Sequence, residues 1–387
     1  MAGNAYVGVN GVARSVTAAY IGVDGLARRI RKAYVGIGGV ARPCFGSEKV
    51  TYYGVIDALP KLLQMPIAAS NGKHVVVVGI DEGTSYSGYF NAAYAYDTSL
   101  SVSMIGRIDD EHFDWNCATN VGDYTLFDRS LGHASAGHQT LFAFDASLTM
   151  STLEGFLEYA HGKAATSVNG YALFAGGLKA YGSSDVIEVL DASLTKISSL
   201  TMSSGRGYMA ATTVGEYAVF AGGANRYEDV FDAVDCVDAA LTVRSLDSLS
   251  VARTDLSSAS TKKHAIFAGG QTSHAYVGGG YGDSAAVDTY DKYLTHSPAD
   301  RLSIGRTPAG VTLGTVAIFG GGRATTTTDK VTACVETYDS SLTHEAIESL
   351  SKSRQYIAGA AISKYALFIG GADSDTEWLN ITDAYKL

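Results

Sequence analysis

The sequence is poor in cysteine, proline and tryptophan, and it has no long apolar run. Only four cysteines, five prolines and two tryptophans occur in 387 residues, and no cysteines form a CxxC pair. The cysteines are therefore predicted to be isolated thiols, not a disulfide framework or a zinc site. No apolar run reaches the roughly 20 residues of a transmembrane helix, so membrane insertion is not expected. The N-terminus lacks the apolar core of a signal peptide, so we expect synthesis in the cytoplasm.

Basic residues are also scarce outside the N-terminal segment. Residues 1–49 hold seven basic and two acidic residues, a net charge of +5, which leaves −15 for the rest of a chain of net charge −10. An acidic body repels phosphates, so nucleic acid is not an expected partner. The basic segment suits an acidic protein partner or is simply a solvated surface. Abundant glycine and tyrosine, 44 and 24 residues, are typical of an all-β protein with many tight turns.

A 14-residue repeat fills the N-terminal segment. It reads AYVGVNGVARSV from Ala5, AYIGVDGLARRI from Ala19 and AYVGIGGVARPC from Ala33. Asn-Gly, Asp-Gly and Gly-Gly favour tight hairpin turns, so each unit is predicted to be a β-hairpin. Isolated hairpins are marginal in water. We therefore expect residues 1–49 to be an anchoring or oligomerisation module that packs on its own copies, a partner protein or the following domain. Its candidate docking residues are Tyr6, Arg14, Tyr20, Arg28, Tyr34 and Arg42.

A second repeat, of about 50 residues, fills the rest of the chain. Its clearest unit is an apolar strand that ends in glycines, such as YALFAGG from Tyr171 and YAVFAGG from Tyr217. A period near 50 with four short strands is that of a propeller blade. The fourth residue of each unit is a strand anchor, and there are seven, which predicts seven blades. The anchors are Val77, Phe127, Phe174, Phe220, Phe267, Phe319 and Phe368.

Two further markers accompany this repeat. A D-x-S-L-T type turn follows the strand, as in DASLT from Asp145, and an arginine precedes the next strand, as at Arg206. Together with the double glycine, these markers resemble the kelch repeat over residues 50–387, although the tryptophan of that repeat is missing. The resemblance implies an all-β, seven-bladed kelch-like β-propeller over these residues, and the three short β-hairpin repeats predicted above precede it. The last blade lacks a fourth strand, and residues 51–57 are predicted to supply it and to close the ring.

The loops between the second and third strands of the blades are long and varied, whereas the other turns are short. Variable loops on a rigid scaffold often bind ligands. Exposed aromatic side chains beside polar groups suit carbohydrate or protein recognition, with packing among the loops as the alternative. The candidate ligand-binding residues are Tyr86, Tyr89, His133, His138, Tyr181, Tyr227, His274, Tyr276, Tyr281 and Trp378.

Motifs for catalysis are weak throughout the sequence. The loop histidines lie in separate loops without the spacing of a metal site, so no metal and no cofactor are expected. The glycine run 278–280 is not followed by a helix pattern, which argues against a phosphate loop. Glu154 and Glu158 suit acid/base chemistry or, as we expect, a solvated outer strand. We therefore expect a binding protein and not an enzyme.

The N-terminal units, AYVGVNGVAR and its relatives, resemble short repeats of tail-associated proteins from bacteriophages and prophages. The resemblance covers residues 5–45 and implies a virion structural protein that is a tail, fibre or baseplate component. Its hairpins would contact other virion proteins, as a possible homo-oligomer, and its propeller would bind a host-surface glycan or protein. The alternatives are a decoration protein that binds no receptor, an intracellular kelch adaptor and a propeller enzyme. Fold alone does not decide among them.

Overall fold

The structure of the protein, a computed structural model, is all-β. It describes residues 49–82, 89–109, 114–130, 139–155, 157–227, 229–273, 282–328, 330–373 and 377–387, together with the backbone of short strands before residue 47. None of these residues is helical, so none of them forms a helix long and apolar enough to cross a membrane. The chain divides into two compact units, Met1–Lys49 and Val50–Leu387.

The N-terminal unit contains three two-stranded antiparallel sheets. In the first sheet Val9 pairs with Val12 and Tyr6 with Ser15. The turns and the side chains of this unit lie outside the described residues. The three hairpin repeats and their docking residues therefore remain predictions. The strand pairs are Tyr6–Val9 with Val12–Ser15, Tyr20–Val23 with Leu26–Arg29, and Lys32–Ile37 with Val40–Gly46.

Seven four-stranded antiparallel sheets make up the second unit, which is a seven-bladed β-propeller. The first strands of neighbouring sheets contact one another around the central axis, so they are the inner strands. From inner to outer strand, the blades are as follows. Blade 1 is Leu63–Ser70, Val75–Glu82, Tyr89–Tyr96 and Val102–Asp109; blade 2 is Asp114–Val121, Tyr124–Ser130, Thr140–Phe144 and Met150–Glu154; blade 3 is Ala164–Val168, Tyr171–Ala175, Val186–Asp191 and Lys196–Thr201; blade 4 is Ala210–Val214, Tyr217–Ala221, Val234–Val237 and Val243–Ser245; blade 5 is Ser257–Ser260, His264–Ala268, Val287–Asp291 and His296–Pro298; blade 6 is Thr307–Leu313, Val316–Arg323, Val335–Tyr338 and His344–Ile347; blade 7 is Ala358–Ile362, Tyr365–Ile369, Thr382–Lys386 and Thr51–Val55.

The ring is closed by the strand that opens the propeller. Thr51–Val55 pairs antiparallel with Thr382–Lys386 and takes the outer position of blade 7. The pairing continues for one residue beyond the strand, since the Ile56 amide donates to the Thr382 carbonyl at 3.0 Å. An unpaired strand here would expose a row of backbone donors and acceptors, and the closure removes that edge.

The second strands form the buried middle layer of each blade. Their seven anchor residues, Val77 and the six phenylalanines, are all fully buried. In the last three blades the phenylalanine meets a third-strand tyrosine edge to face, with ring centroids 6.0 Å apart in the pair Phe267–Tyr290. Such pairs stabilise by about 1 kcal/mol beyond their area burial. The regular aromatic spacing in the sequence therefore reflects packing between the second and third strands of these blades.

The aspartate turns join third to outer strands. In blade 3 the Asp191 carboxylate accepts the backbone amides of Ser193 and Thr195 at 2.9 and 3.0 Å. Leu194 between them has φ +60°, a left-handed conformation that the turn requires. These bonds are confined to the turn, so its regularity belongs to the scaffold.

Candidate functional site: the loop face

One face of the propeller carries all the long connections. Strands alternate direction within a blade, so loops between second and third strands share a face with the connections between blades. We call this the loop face, and the opposite side, with its short turns, the turn face. Neighbouring loops are bonded to each other: the Arg226 amide donates to Ser183 Oγ at 3.1 Å, and the Thr325 amide to Asp283 Oδ2 at 2.5 Å. The loop face is therefore a continuous surface across blades 3–4 and 5–6.

The marker arginines lie beneath this face and are fully buried. Each pairs with an acidic residue on the third strand of its own blade. Arg206 and Arg354 also donate through Nε to the Gly222 and Gly370 carbonyls, at 2.9 and 2.8 Å. Buried charges that are paired and hydrogen-bonded in this way fix geometry and are unavailable to a ligand. The pairs are Arg206–Asp235 at 2.8 Å, Arg253–Asp288, Arg306–Glu336 at 2.8 Å and Arg354–Asp383 at 2.7 Å.

Blade 3 departs from this arrangement. It keeps the third-strand acid as Glu188, but Ala160 stands where blades 4–7 have arginine. The ammonium of Lys163 enters instead, at 3.7 Å from Glu188 and 4.0 Å from Asp128 at the end of the second strand of blade 2. All three side chains are buried. The scaffold pair is thus replaced by a buried charge network between blades 2 and 3.

A strained collar follows the arginines. Two residues after the arginine position, Gly162, Tyr208, Asp255 and Tyr356 all have positive φ, between +51° and +69°. Those of blades 3, 4 and 5 are linked from blade to blade, since the Tyr208 amide donates to the Gly162 carbonyl at 2.7 Å and the Asp255 amide to the Tyr208 carbonyl at 3.1 Å. Such a φ costs a non-glycine residue ~1 kcal/mol or more, and strain of this kind is concentrated at ligand-binding positions. The collar places two tyrosines and a carboxylate at the loop face.

The structure describes three of the sequence-predicted ligand residues with their side chains. Tyr181 and Tyr227 are 95% and 76% exposed in the second-to-third loops of blades 3 and 4. Trp378, in the same loop of blade 7, is partly buried because it packs against Tyr356, with centroids 5.8 Å apart. The backbone of Tyr89 opens the third strand of blade 1, but its side chain is not described. The predicted residues outside the described part are Tyr86, His133, His138, His274, Tyr276 and Tyr281.

Tyr208 and Tyr356 were not among the residues predicted from the sequence, although each stands two residues after a marker arginine and the shared spacing marks them as equivalent positions. The prediction for Glu158 was wrong. Glu154 does end the outer strand of blade 2 and is exposed, but Glu158 lies beyond that strand, in the connection to blade 3. Its side chain is 35% exposed and pairs with Lys179 at 2.5 Å. The reason is that the outer strand ends at Glu154, so Glu158 is out of the sheet and reaches Lys179 in the loop of blade 3.

Metal ligands are not gathered in the described residues, where no group of three His, Cys, Asp or Glu side chains has suitable geometry. Cys117, Cys236 and Cys334 are free thiols. Burial raises the pKa of Cys236 to about 11, which keeps its thiol protonated and a poor nucleophile.

An open central cavity of about 360 Å³ is lined by the inner strands near the turn face. Its lining is small and uncharged, and every blade contributes to it. The Ser167 hydroxyl donates to Asn120 at 3.2 Å across blades 2 and 3. The lining residues are Ala68, Ala69, Ser70, Ala118, Thr119, Asn120, Ala165, Thr166, Ser167, Thr212, Thr213, Ser260, Thr312, Gly359, Ala360 and Ala361.

No family model and no curated protein matches this chain. Among solved structures it is similar to YjhT, a kelch-like propeller protein, with a TM-score of 0.56 and 13% sequence identity. The alignment covers 76% of this chain and 99% of that chain. At this identity the likeness shows the fold alone, which agrees with the seven sheets of Val50–Leu387.

Proposed function

We propose that the protein is a bacteriophage virion structural protein, a tail, fibre or baseplate component, whose loop face binds a host-surface glycan or protein. The observation that carries the binding part is the exposure of Tyr181 and Tyr227 on the same face of the ring as the Tyr356–Trp378 pair. A tyrosine offers a large apolar ring at low entropic cost, and such rings are favoured wherever a partner is bound. No cofactor is required by this function.

The scaffold beneath these loops supports recognition. Four buried arginine–acid pairs support blades 4–7, and hydrogen bonds join the loops of blades 3 and 4 and those of blades 5 and 6. A binding surface that is already ordered loses less entropy when the partner binds. This arrangement suits recognition of an external partner by the loops better than chemistry in the ring.

The virion assignment rests on the resemblance of the N-terminal repeats to those of phage and prophage tail proteins. In this proposal the hairpin module contacts other virion proteins or its own copies, and basic residues such as Arg14 and Arg28 face an acidic partner. The propeller then displays its loop face to the cell.

Purified virions provide the test. Mass spectrometry should find the protein in the particle, and negative-stain imaging of particles with a tagged chain should place it on the tail. Absence from purified virions would overturn the virion assignment. Particles that carry Tyr181→Ala and Tyr227→Ala together should assemble normally and adsorb poorly to cells. Normal adsorption of these particles would instead assign a decoration role without a receptor.

A further inference from the structure

Glu158 is held by its main chain between two buried charged side chains. Its amide donates to Glu188 Oε1 at 2.6 Å, and its carbonyl accepts a hydrogen bond from Lys163 Nζ at 2.5 Å. Lys163 and Glu188 are 5% and 3% exposed, so both are packed inside the protein. The network between blades 2 and 3 therefore fixes the position of one surface residue.

The side chain of Glu158 is held as firmly as its backbone, yet it reaches solvent. Lys179 Nζ donates to Oε1 at 2.5 Å, and the Ser184 hydroxyl donates to Oε2. About a third of each side chain of the Glu158–Lys179 pair is exposed, at 35% and 32%. Burial raises the pKa of Glu158, but hydrogen bonds from Lys179 and Ser184 outweigh it and hold the pKa below its usual range. The carboxylate is therefore ionised at neutral pH.

An exposed aromatic ring stands in the same short loop. The Lys179 amide donates to the Gly182 carbonyl at 3.1 Å, which closes a tight turn, and Gly182 has φ +84°. Tyr181 at the tip of this turn is 95% exposed. A carboxylate, an ammonium and a tyrosine ring are thus presented together by a loop of defined geometry.

The other blades show that this network is not required to build a blade. In blade 4 the residue aligned with Lys163 is the apolar Met209, and the third-strand acid Asp235 is held by Arg206 and by the hydroxyls of Ser203 and Ser245 without a buried lysine. Burying an ammonium between two carboxylates carries a desolvation penalty that apolar packing avoids. The extra charges of blade 3 hold Glu158 in place. A recognition residue needs such rigid support from its neighbours.

We propose that Glu158, Lys179 and Tyr181 form a subsite for a neutral saccharide, which rests on the binding function proposed above and names its ligand class. The carboxylate accepts hydrogen bonds from adjacent sugar hydroxyls, and the ammonium donates to a sugar oxygen. The tyrosine ring covers the apolar C–H face of the pyranose. The charges of Glu158 and Lys179 cancel. A charged sugar would be attracted by one of them and repelled by the other, so the pair favours a neutral sugar.

Binding of the full-length chain to immobilised neutral oligosaccharides tests this directly. The probes are oligosaccharides that end in glucose, galactose or mannose. The wild type is expected to bind at least one of them, and Glu158→Gln, Lys179→Met and Tyr181→Ala should each weaken that binding by tenfold or more. Glu154→Gln is the matched control, because Glu154 is an exposed carboxylate four residues away at the end of an outer strand. It should bind within twofold of the wild type. Urea unfolding of each variant checks that the propeller is intact.

Treated cells separate this inference from the wider proposal. Periodate cleaves adjacent diols and should abolish binding of the chain to host cells, whereas protease treatment should leave it unchanged. Binding that survives periodate and is lost after protease would overturn the saccharide subsite and leave receptor binding intact. Failure of the wild type to bind any of the oligosaccharides, or full binding by Glu158→Gln, would also overturn the subsite. Failure to bind untreated cells would contradict the binding function itself.

Discussion

The hydroxyl of Tyr52 donates to Oδ1 of Asp383 at 2.7 Å, across 331 residues of sequence. Tyr52 lies on the strand that closes the ring, and Asp383 is the buried partner of Arg354 in blade 7. Burial, together with the hydrogen bond to Asp383, raises the pKa of Tyr52 to about 12, so the hydroxyl stays protonated at neutral pH. One bond therefore joins the closing strand to the charge pair that supports its blade.

Removing this hydroxyl should weaken the closure. Tyr52→Phe is expected to lower the free energy of unfolding by about 1.5 kcal/mol, because a hydrogen bond to a charged group is lost. Tyr53→Phe is the control, since the neighbouring ring is 48% exposed, and its effect should stay within about 0.5 kcal/mol. Urea unfolding of both variants measures the difference. Equal effects would show that the Tyr52–Asp383 bond does not stabilise the ring.

The buried arginines should be far more important for stability than surface arginines. Arg253→Met leaves the carboxylate of Asp288 without its buried partner, and we expect a loss of about 3–5 kcal/mol. Arg244→Met removes a pair with Asp238 in which the arginine side chain is 57% exposed, and should cost less than about 1 kcal/mol. Thermal and urea unfolding of the two variants provide the comparison. A small loss for Arg253→Met would contradict the scaffold role of the pairs.

The double glycines are predicted to be required by packing as well as by backbone conformation. Gly176 and Gly182 both have positive φ, at +70° and +84°. An added Cβ at Gly176 would lie 2.2 Å from the Arg206 carbonyl oxygen, whereas at Gly182 it meets nothing within 4 Å. Gly182→Ala should therefore lower stability by about 1 kcal/mol, from strain alone. Gly176→Ala should lower it by about 3 kcal/mol or more, because overpacking adds to the strain. Equal losses in unfolding experiments would exclude the steric effect.

Acid sensitivity is expected from His264 in the second strand of blade 5. Burial lowers its pKa, and its buried Nδ1 has no hydrogen-bond partner. The unfolded chain binds the proton more tightly than the folded chain, so this residue lowers stability as the pH falls below about 6.5. His264→Tyr installs the residue found at the aligned positions Tyr171 and Tyr217 and should flatten the dependence between pH 7.5 and 5. Unfolding free energies measured across that range test it, and an unchanged slope would contradict the assignment.

Much of the propeller can be predicted from the sequence, because blade packing repeats at a fixed period. The anchors such as Phe174 and Phe220 are all on second strands, and the spacing that counted seven of them is the spacing of seven sheets. The closure of the ring could also be predicted from the sequence, since the last blade is one strand short. The charge network of blade 3 could not be predicted. Lys163 takes the place of the arginine from a different position in the sequence, and it meets Asp128 only in the folded chain.

The candidate site was predicted in outline only. Tyr181 and Tyr227 were predicted from the composition of their loops, because an exposed residue can be predicted without knowing which residues pack against it. Glu158 and Lys179 were missed as a pair, since they come from different connections that meet only when blades 2 and 3 pack together. Strain at Tyr208 and Tyr356 has no composition signal, because a positive φ at tyrosine is imposed by the surrounding blades.

Two tyrosines of equal exposure on opposite faces offer the most direct test of the central claim that the loop face binds the cell surface. Tyr227 on the loop face and Tyr293 in a turn of the turn face are each 76% exposed. Binding of labelled full-length protein to host cells should fall at least tenfold when Tyr181→Ala and Tyr227→Ala are combined, and should be unchanged in Tyr293→Ala. Undiminished binding of the double variant, or a loss confined to Tyr293→Ala, would contradict the claim.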